Sequence, residues 1–386
     1  MFNKIGSLKP DFIAFFLLAF VLSRQFPLNL YSGMLNVFTL IFIISTLPNI
    51  KKINLKFLII TVLPIPFLVV YSIVLGNDIS LIIRFMSILL ILNLPLIFGF
   101  EEEYYFKIFK FTYFIHASVI IFIAVYMGAM FDSSNYSEIR RLFLNNGWGD
   151  VYTYNGYFFR VQLLGNALIP LLLFITYDQF REKIVSLYHF LFSLLALIFA
   201  GNLAFLLSFA FYVIVYELLK GKLSLSIKKA FAYAAFFLSF PIFVFYIIRR
   251  IEMKLGGASS SLGIRADQIS VLINDMSDSV CTLLFGMGIG NTVDVITHSR
   301  DYIGDIYFEL QSVYFLNQLG FVIFIALLIV HLYMFFSLAK TRLTVLMYFS
   351  YLSYAFTNPY MLDTTHFVAI IVILSYQMYK YKVRLV

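Results

Sequence analysis

Residues 309–336 read ELQSVYFLNQLGFVIFIALLIVHLYMFF, and the one Asp, Glu, Lys or Arg among them is Glu309 at the start. A helix needs about 20 predominantly apolar residues to cross the hydrocarbon core of a bilayer. This stretch is longer than that and is apolar on every face, so it is predicted to form a transmembrane helix. Strands of a transmembrane barrel would instead show segments of about 10 residues that alternate apolar and polar side chains.

Similar apolar runs recur along the whole chain. Its 386 residues are 62% hydrophobic and 12% charged, whereas soluble domains are roughly 45–50% apolar and ~25% charged. The sequence therefore predicts an all-α polytopic integral membrane protein, a single transmembrane domain over residues 1–386 with about 12 transmembrane helices. The predicted spans are 11–23, 29–47, 57–75, 80–99, 107–130, 160–177, 184–200, 203–219, 229–248, 309–336, 342–356 and 365–380.

Lysine and arginine are distributed unevenly between the two sides of the predicted membrane. Of the 28 Lys and Arg residues, 18 fall at the termini and in the short loops of one side. Because positive residues mark the cytoplasmic loops of membrane proteins, both termini are predicted to be cytoplasmic. Topology thus accounts for the net charge of +8. The basic residues form no stripe interleaved with aromatic side chains, so nucleic-acid binding is not indicated.

Two long loops, approximately 131–159 and 249–308, lie on the external side of the predicted membrane. Loops of this length in compact proteins are usually functional or disordered. The first contains Trp148 and several tyrosines, and the second mixes apolar residues with Gly, Asp and Arg, so both are predicted to be ordered. Within the second loop, residues 262–284 are predicted to include an amphipathic helix. Its apolar face would carry Ile264, Ile269, Leu272 and Ile273.

Four arginines are candidates for binding a phosphorylated substrate. Arg160 opens the sixth predicted span and Arg250 ends the ninth, while Arg265 lies in the second long loop. A guanidinium group offers a planar fork of donors and a permanent charge, which suits a diphosphate. An interfacial arginine paired with lipid phosphate is the alternative interpretation. Arg84 lies inside the fourth predicted span, close enough to its external end to snorkel, yet a charge within a span is a functional candidate by default.

Glu309 is the first candidate for acid–base chemistry, with His298 and Asp305 in reserve. A hydroxyl nucleophile needs a base within hydrogen-bond reach, and carboxylates or histidines are the usual choices. Glu309 begins the tenth predicted span, where burial beside arginines can tune its pKa. The histidines lack metal-ligand spacing, and nucleotide-binding motifs are missing from the sequence. No metal and no cofactor are therefore predicted.

The segment FGMGIGN, residues 285–291, superficially resembles a dinucleotide-binding loop. Its GxGxG spacing and its external position disfavour that interpretation. Glycines of this density instead predict a tight backbone turn, approached closely by another helix or by a lipid-linked substrate.

Three segments resemble the motifs of the O-antigen polymerases (Wzy) and the related O-antigen ligases of bacterial surface-polysaccharide assembly. RVQLLGN begins at Arg160, IRADQI surrounds Arg265 and is followed by FGMGIGN, and ELQSVYFLNQLGFVIF begins at Glu309 and contains Gly320. The arrangement of spans and two long loops is similar over nearly the whole chain. Two positions depart from the pattern: Glu309 stands where ligases usually have His, which favours a polymerase, and Leu171 stands where some polymerases have Gly.

The resemblance implies a membrane glycosyltransferase of GT-C-like architecture, with short helices in its periplasmic loops, in the bacterial inner membrane. It implies transfer of a growing glycan from undecaprenyl diphosphate to an incoming undecaprenyl-diphosphate-linked repeat unit at a periplasmic active site, as in lipopolysaccharide biosynthesis. On this interpretation Glu309 and Arg265 are catalytic, and Glu309 orients or deprotonates the acceptor hydroxyl. The diphosphate would be bound by Arg160, Arg250, Arg265 and Arg84. Membrane lipids and a polysaccharide chain-length regulator are the expected partners.

Two alternatives differ in what happens to the glycan. A ligase would transfer finished polysaccharide to lipid A core. A flippase for lipid-linked oligosaccharide would concentrate charged residues inside its spans around a cavity. This chain places its charges in the external loops instead, with Arg84 as the exception, so an enzyme is favoured over a transporter.

Overall fold

The computed structural model describes residues 9–23, 32–49, 53–100, 102–130, 136–153, 159–220, 261–297 and 300–385. These residues form fifteen α-helices and one β-hairpin, together with short 3-10 turns. The first ten helices are α1 (Pro10–Ser23), α2 (Ser32–Thr46), α3 (Leu55–Val62), α4 (Ile65–Val74), α5 (Ile79–Phe98), α6 (Glu103–Met130), α7 (Tyr136–Asn145), α8 (Ile169–Arg181), α9 (Leu187–Ala200) and α10 (Leu203–Leu219). They are followed by α11 (Ser261–Met276), α12 (Val280–Phe285), α13 (Gln311–Leu338), α14 (Arg342–Ala355) and α15 (Thr364–Leu385).

Four helical segments of the described chain are long and apolar enough to cross a membrane: α3 with α4, then α5, α6 and α13. Shorter apolar helices, α1, α2, α9 and α10, accompany them. This composition supports the predicted helical membrane protein, while the total of twelve spans stays a prediction. The ninth predicted span, 229–248, lies outside the described residues.

The helices pack into a bundle around α8 and α15. α6 lies against α1 and α15, and α10 lies against α14 and α8. Almost every side chain of α8 is buried, and α15 is buried over most of its length. Helices that are enclosed on all sides belong in the interior of a bundle, so polar residues of these two helices, among them Asp178 and Lys380, are buried as well.

Two predicted spans are interrupted by residues that break helices. The third is divided into α3 and α4 at Pro64, because proline lacks a backbone N–H and its ring clashes with the preceding turn. The tenth, α13, is kinked at Gly320, whose φ of 67° and ψ of 170° are not helical. The helix therefore has a short first part, which begins two residues after Glu309, and a long apolar second part.

The prediction that the sixth span begins at Arg160 is wrong. Residues Phe159–Leu163 form strand β2, which pairs in antiparallel register with β1 (Gly149–Thr153). A 3-10 turn follows, and α8 starts only at Ile169, with Pro170 in its first turn, where proline fits. In β2 the side chains of Phe159, Val161 and Leu163 are buried at alternate positions, which is the period of a strand. The described part of the chain is accordingly mostly helical, with one short β-hairpin in the first long loop and at its edge.

The glycine-rich segment 285–291 is a tight turn packed against α13, as predicted. Gly286 and Gly320 meet backbone to backbone at the kink, with φ values of 82° and 67°. A Cβ atom on Gly320 would lie 2.3 Å from the backbone N of Gly286, and one on Gly286 would lie 2.3 Å from the carbonyl O of Gln318. Since any side chain would clash with backbone, both positions require glycine.

The same turn is fastened to the connection between α4 and α5. The Asn77 side-chain amide donates to the carbonyls of Met287 (2.9 Å) and Ile289 (3.2 Å), while the Ile289 backbone N–H donates to Ser72 Oγ at 2.7 Å. The sequence predicted that either a helix or a lipid-linked substrate approaches the glycine-rich turn. The structure shows that helices α4 and α13 do so.

The second long loop contains the predicted helix in two parts, α11 and α12. Leu272 is fully buried, but Ile269 is 43% exposed, so the predicted apolar face is wrong at that position. Buried positions on α11 include Gln268 and Met276 instead. The helix thus turns a polar side chain towards the protein, which simple amphipathic periodicity does not anticipate.

A buried ionic network joins α8, α10 and α15 at the end of the bundle where these helices finish. Asp178 is fully buried and pairs with Lys380 Nζ at 2.6 Å. It also accepts hydrogen bonds from the hydroxyls of Tyr216 (2.8 Å) and Tyr376 (2.5 Å). Lys380 reaches Glu182 at 2.8 Å as well. Buried charges persist only when they are paired and hydrogen-bonded, so this network fixes how the three helix ends meet.

Candidate functional site

Arg265 and Glu309 form an ion pair at the opposite end of the bundle, close to where α10 and α15 begin. Arg265 Nε lies 3.0 Å from Glu309 Oε2. The two side chains are 22% and 32% exposed, so the pair is accessible from outside the protein. The sequence predicted that Glu309 begins a helix. In the structure it lies two residues before α13. The structure thus brings together the two residues predicted to be catalytic, which are 44 positions apart in sequence.

Asn358, in the connection after α14, bridges this pair to α10. Its side-chain Oδ1 accepts hydrogen bonds from Arg265 Nη2 (3.4 Å) and from Asn202 Nδ2 (3.3 Å). The amide is held in this orientation because its Nδ2 donates to the carbonyl of Tyr354 at 2.7 Å. Asn202 in turn caps the first turn of α10 by accepting from the Ala204 N–H. Sequence analysis missed both asparagines, although a polar break between α9 and α10 is a visible capping signal.

Arg160 lies on β2, and its side chain contacts Gly201 at the end of α9, next to Asn202. Its guanidinium is 4.5 Å from the ring centroid of Tyr152, its cross-strand partner, and the residue is only 2% exposed. Its side chain passes directly over Gly201, where a Cβ atom would lie 2.2 Å from Arg160 Nε. Because Gly201 precedes Asn202, the buried guanidinium adjoins the hydrogen bonds that lead to Arg265.

Aromatic side chains surround the Arg265–Glu309 pair. The Tyr360 ring lies within electrostatic range of both members of the pair and contacts Phe205, with ring centroids 6.2 Å apart. Burial and then the Asp363 carboxylate raise the pKa of Tyr360, so its hydroxyl stays protonated at neutral pH. Tyr307 is 52% exposed beside Glu309 and offers an open aromatic face. Flat apolar faces next to hydrogen-bonding groups suit a sugar ring.

Asp363 is a second carboxylate of this region that sequence analysis did not identify. It caps α15 by accepting hydrogen bonds from the backbone N–H groups of Thr365 (2.8 Å) and His366 (3.3 Å). Burial raises its pKa to about 6. Its position immediately before a helix is a capping signal in the sequence, but the signal says nothing of its distance from Glu309.

Asp305, a predicted reserve for acid–base chemistry, is already engaged in a salt bridge. Arg300 Nη2 lies 2.5 Å from Asp305 Oδ2, and the Tyr307 backbone N–H donates to its Oδ1 at 2.9 Å. The backbone of Asp305 pairs with that of Val293 in an isolated β-bridge. These contacts give Asp305 a structural role in the loop.

Of the three remaining predicted residues, the structure describes Arg84, and no contact joins it to the pair. Arg84 is exposed on α5 and has no hydrogen bond or salt bridge with the described residues; its aromatic neighbour is Tyr314 on α13. Arg250 and His298 lie outside the described residues. Within the described ranges, no group of three or more His, Cys, Asp or Glu residues is arranged to hold a metal ion.

The arrangement has one partly exposed guanidinium and one partly exposed carboxylate, and a second guanidinium, that of Arg160, is buried beside Gly201. Such a set can stabilise an oxyanion and accept a proton from a nearby hydroxyl. Comparison of the chain with protein-family models, with curated proteins and with solved structures gives no match.

Proposed function

We propose that this chain is a membrane glycosyltransferase that polymerises lipid-linked oligosaccharides, as the O-antigen polymerases do. The growing glycan would be transferred from undecaprenyl diphosphate to an incoming undecaprenyl-diphosphate-linked repeat unit. The observation that carries this proposal is the Arg265–Glu309 ion pair. The buried guanidinium of Arg160 is connected to it through Gly201, Asn202 and Asn358.

In the proposed reaction, the bond between the anomeric carbon of the donor sugar and the diphosphate oxygen breaks. The acceptor hydroxyl oxygen forms the new glycosidic bond, and its proton passes to Glu309. Undecaprenyl diphosphate leaves with the bonding electron pair, so negative charge develops on its bridging oxygen. A preorganised guanidinium at that oxygen stabilises the charge without reorganisation.

The ion pair suggests how substrate binding would prepare Arg265 and Glu309 for the reaction. Without substrate, Arg265 donates to Glu309. A diphosphate is a stronger competitor for a guanidinium fork than a single carboxylate. Its binding would draw Arg265 away and free Glu309 to accept the proton of the acceptor hydroxyl. Arg160 is 2% exposed and packed on Tyr152, so it would act as a fixed positive charge.

We further propose that the Arg265–Glu309 end of the bundle faces the periplasm and that both termini are in the cytoplasm of a bacterial inner membrane. The opposite end carries Lys220, Lys380 and Lys382, with Arg181. A surplus of basic residues at one end is the usual mark of the cytoplasmic side.

The test is deletion of the gene, followed by complementation with wild type, Arg265→Ala or Glu309→Ala, with surface polysaccharide read as a ladder on a gel. Arg140→Ala is the matched control, because Arg140 is also in a surface salt bridge, 2.8 Å from Asp150, but belongs to the first long loop. Protein levels are measured for every variant.

We expect deletion to leave lipid A core bearing a single repeat unit. Wild type and Arg140→Ala should restore the ladder, and the two site variants should not. Polymer that accumulates on undecaprenyl diphosphate without reaching the core would indicate a ligase instead. Loss of lipid-linked repeat units from the periplasmic face would indicate a flippase. A full ladder from both site variants would exclude the assigned residues.

A further inference from the structure

Gln268 is a buried polar residue directly beneath the Arg265–Glu309 pair. It is fully buried on α11, one helical turn after Arg265, and residues three apart on a helix share a face. Its Oε1 accepts a hydrogen bond from the backbone N–H of Leu310 at 3.3 Å. Leu310 follows Glu309 and precedes the first residue of α13. Two residues of α11 therefore contact the segment before α13. Arg265 pairs with the Glu309 carboxylate, and Gln268 accepts from the backbone N–H of Leu310.

The other end of this amide, the Nε2 group, is a hydrogen-bond donor. Gln268 Nε2 is buried and has no hydrogen-bond partner among the described residues. The assignment of the two amide atoms is fixed by chemistry, because the reverse would set Nε2 against the Leu310 N–H, two donors facing each other. Buried donors without partners are unfavourable and uncommon in folded proteins.

The start of α13 adds a second source of positive potential at this place. Its N-cap residue, Leu310, provides no side-chain cap. The first part of the helix runs from Gln311 to the kink at Gly320 and so has more than two turns. The N-terminus of a helix presents N–H groups and the positive end of its dipole, which together attract anions.

We propose that Gln268 is a binding residue for the diphosphate of the lipid-linked substrate, its Nε2 donating to a phosphate oxygen at the N-terminus of α13. This inference rests on the proposed function, since it concerns the same site. The groups that converge here are the Arg265 guanidinium, the Gln268 amide and the start of α13. The guanidinium is positive, and Gln268 Nε2 and the start of α13 are donors, which favours an oxyanion over a sugar hydroxyl. The acceptors beside them are the Glu309 carboxylate, which pairs with Arg265, and the buried Oε1 of Gln311, the first residue of α13. Arg265, being partly exposed, meets the anion first, and Gln268 receives the oxygen that lies deepest.

The decisive variant is Gln268→Glu, which keeps an oxygen acceptor for the Leu310 N–H but replaces the free donor with a carboxylate oxygen. The full-length protein is reconstituted in nanodiscs, and its affinity for undecaprenyl diphosphate and for uncharged undecaprenol is measured. Losing a hydrogen bond to a charged group weakens binding by about 10- to 100-fold. We expect a loss of that size for undecaprenyl diphosphate and unchanged binding of undecaprenol.

Gln318→Glu is the matched control. Gln318 is 1% exposed and its Oε1 accepts from the backbone N–H of Gly290, but it lies in the interior of α13 near Tyr314. The thermal unfolding midpoint of each variant is recorded. If Gln268→Glu does not fold, Gln268→Met, which retains the volume and loses both polar atoms, takes its place with the same expected loss.

Each outcome decides the proposal. Gln268→Glu with wild-type affinity for undecaprenyl diphosphate, alongside weakened binding by Arg265→Ala, would overturn the role of Gln268 and leave the proposed function intact. Equal losses from Gln268→Glu and Gln318→Glu would also overturn it, as a general effect of a buried acid. Wild type that binds no undecaprenyl diphosphate would overturn both proposals together.

Discussion

The side chain of Arg160 lies across the backbone of Gly201, so closely that a Cβ atom on Gly201 would be 2.2 Å from Arg160 Nε and 2.6 Å from its Cγ. Gly201 ends α9 in the left-handed region with φ of 65°. It is the residue that allows a strand of the first long loop to place an arginine beside Asn202. The position of the guanidinium therefore depends on the absence of a single methyl group.

Gly201→Ala should displace Arg160 and abolish the polysaccharide ladder. The positive φ alone costs about 1–2 kcal/mol for an L-residue, so the steric effect has to be separated from the conformational one. Gly304→Ala provides that control, because Gly304 has the same φ of 65° and a Cβ atom there would have nothing within 4 Å. We expect similar strain in both variants but a lost ladder only in Gly201→Ala. A full polysaccharide ladder from both Gly201→Ala and Gly304→Ala would show that the position of Arg160 is unimportant.

The ion pair of Arg265 and Glu309 can be tested by exchanging its members. Arg265→Glu combined with Glu309→Arg preserves the attraction between the two positions, so folding should be retained. The double variant should nevertheless be inactive, because the guanidinium and the carboxylate would each face the wrong substrate. Single removal of a preorganised oxyanion donor, as in Arg265→Ala, should lower turnover by about 100-fold or more. Ladder formation in the double variant would indicate that the pair is structural.

The sequence alone predicted the two members of the ion pair, but not the residues that surround them. An arginine and a glutamate in an apolar chain are conspicuous, so Arg265 and Glu309 were predictable as candidates. Asn358 was not, because a single asparagine in a connection between helices has no periodicity to reveal its contacts. The β-hairpin was missed for a related reason: β2 runs directly into the apolar residues of α8, and the length of the combined run outweighs the alternation of Phe159, Val161 and Leu163.

Gly286 and Gly320 should tolerate no side chain. Gly320→Ala would place its Cβ 2.3 Å from a backbone nitrogen, and backbone cannot move away as a flexible side chain can. Overpacking of this kind typically costs about 1–3 kcal/mol, on top of the strain at positive φ. We expect a lower thermal unfolding midpoint than for Gly99→Ala, whose φ of 62° is similar and whose surroundings are open. Matching midpoints for the two variants would mean that the kink adjusts.

Asp363 should make the stability of the protein depend on pH. Its pKa is about 6 in the folded chain, above the ordinary value of 3.8, so the folded state holds the proton more tightly than the unfolded state. Stability from this group is fully present below pH 3.8 and is lost as pH rises through about 6. Asp363→Asn keeps a good helix cap and removes the titration. The thermal midpoint in detergent, followed from about pH 4 to about pH 7.5, should fall more steeply for wild type than for Asp363→Asn. Parallel profiles would contradict the assignment.

Lys380→Met should destabilise the protein more than any exposed lysine variant, because it leaves the carboxylate of Asp178 buried without its closest cation. Breaking a buried pair by removing one partner costs about 3–5 kcal/mol. Lys382→Met is the control: Lys382 is 60% exposed and lies 3.7 Å from Glu103, so its loss should cost less than about 1 kcal/mol. Adding Asp178→Asn to Lys380→Met should recover much of the thermal midpoint. The uncharged amide can accept from one of the two tyrosine hydroxyls, Tyr216 or Tyr376, through its oxygen and donate to the other through its NH2 group. If the double variant is less stable than Lys380→Met alone, the hydrogen bonds of the ionised carboxylate, rather than its charge pairing, hold α8, α10 and α15 together.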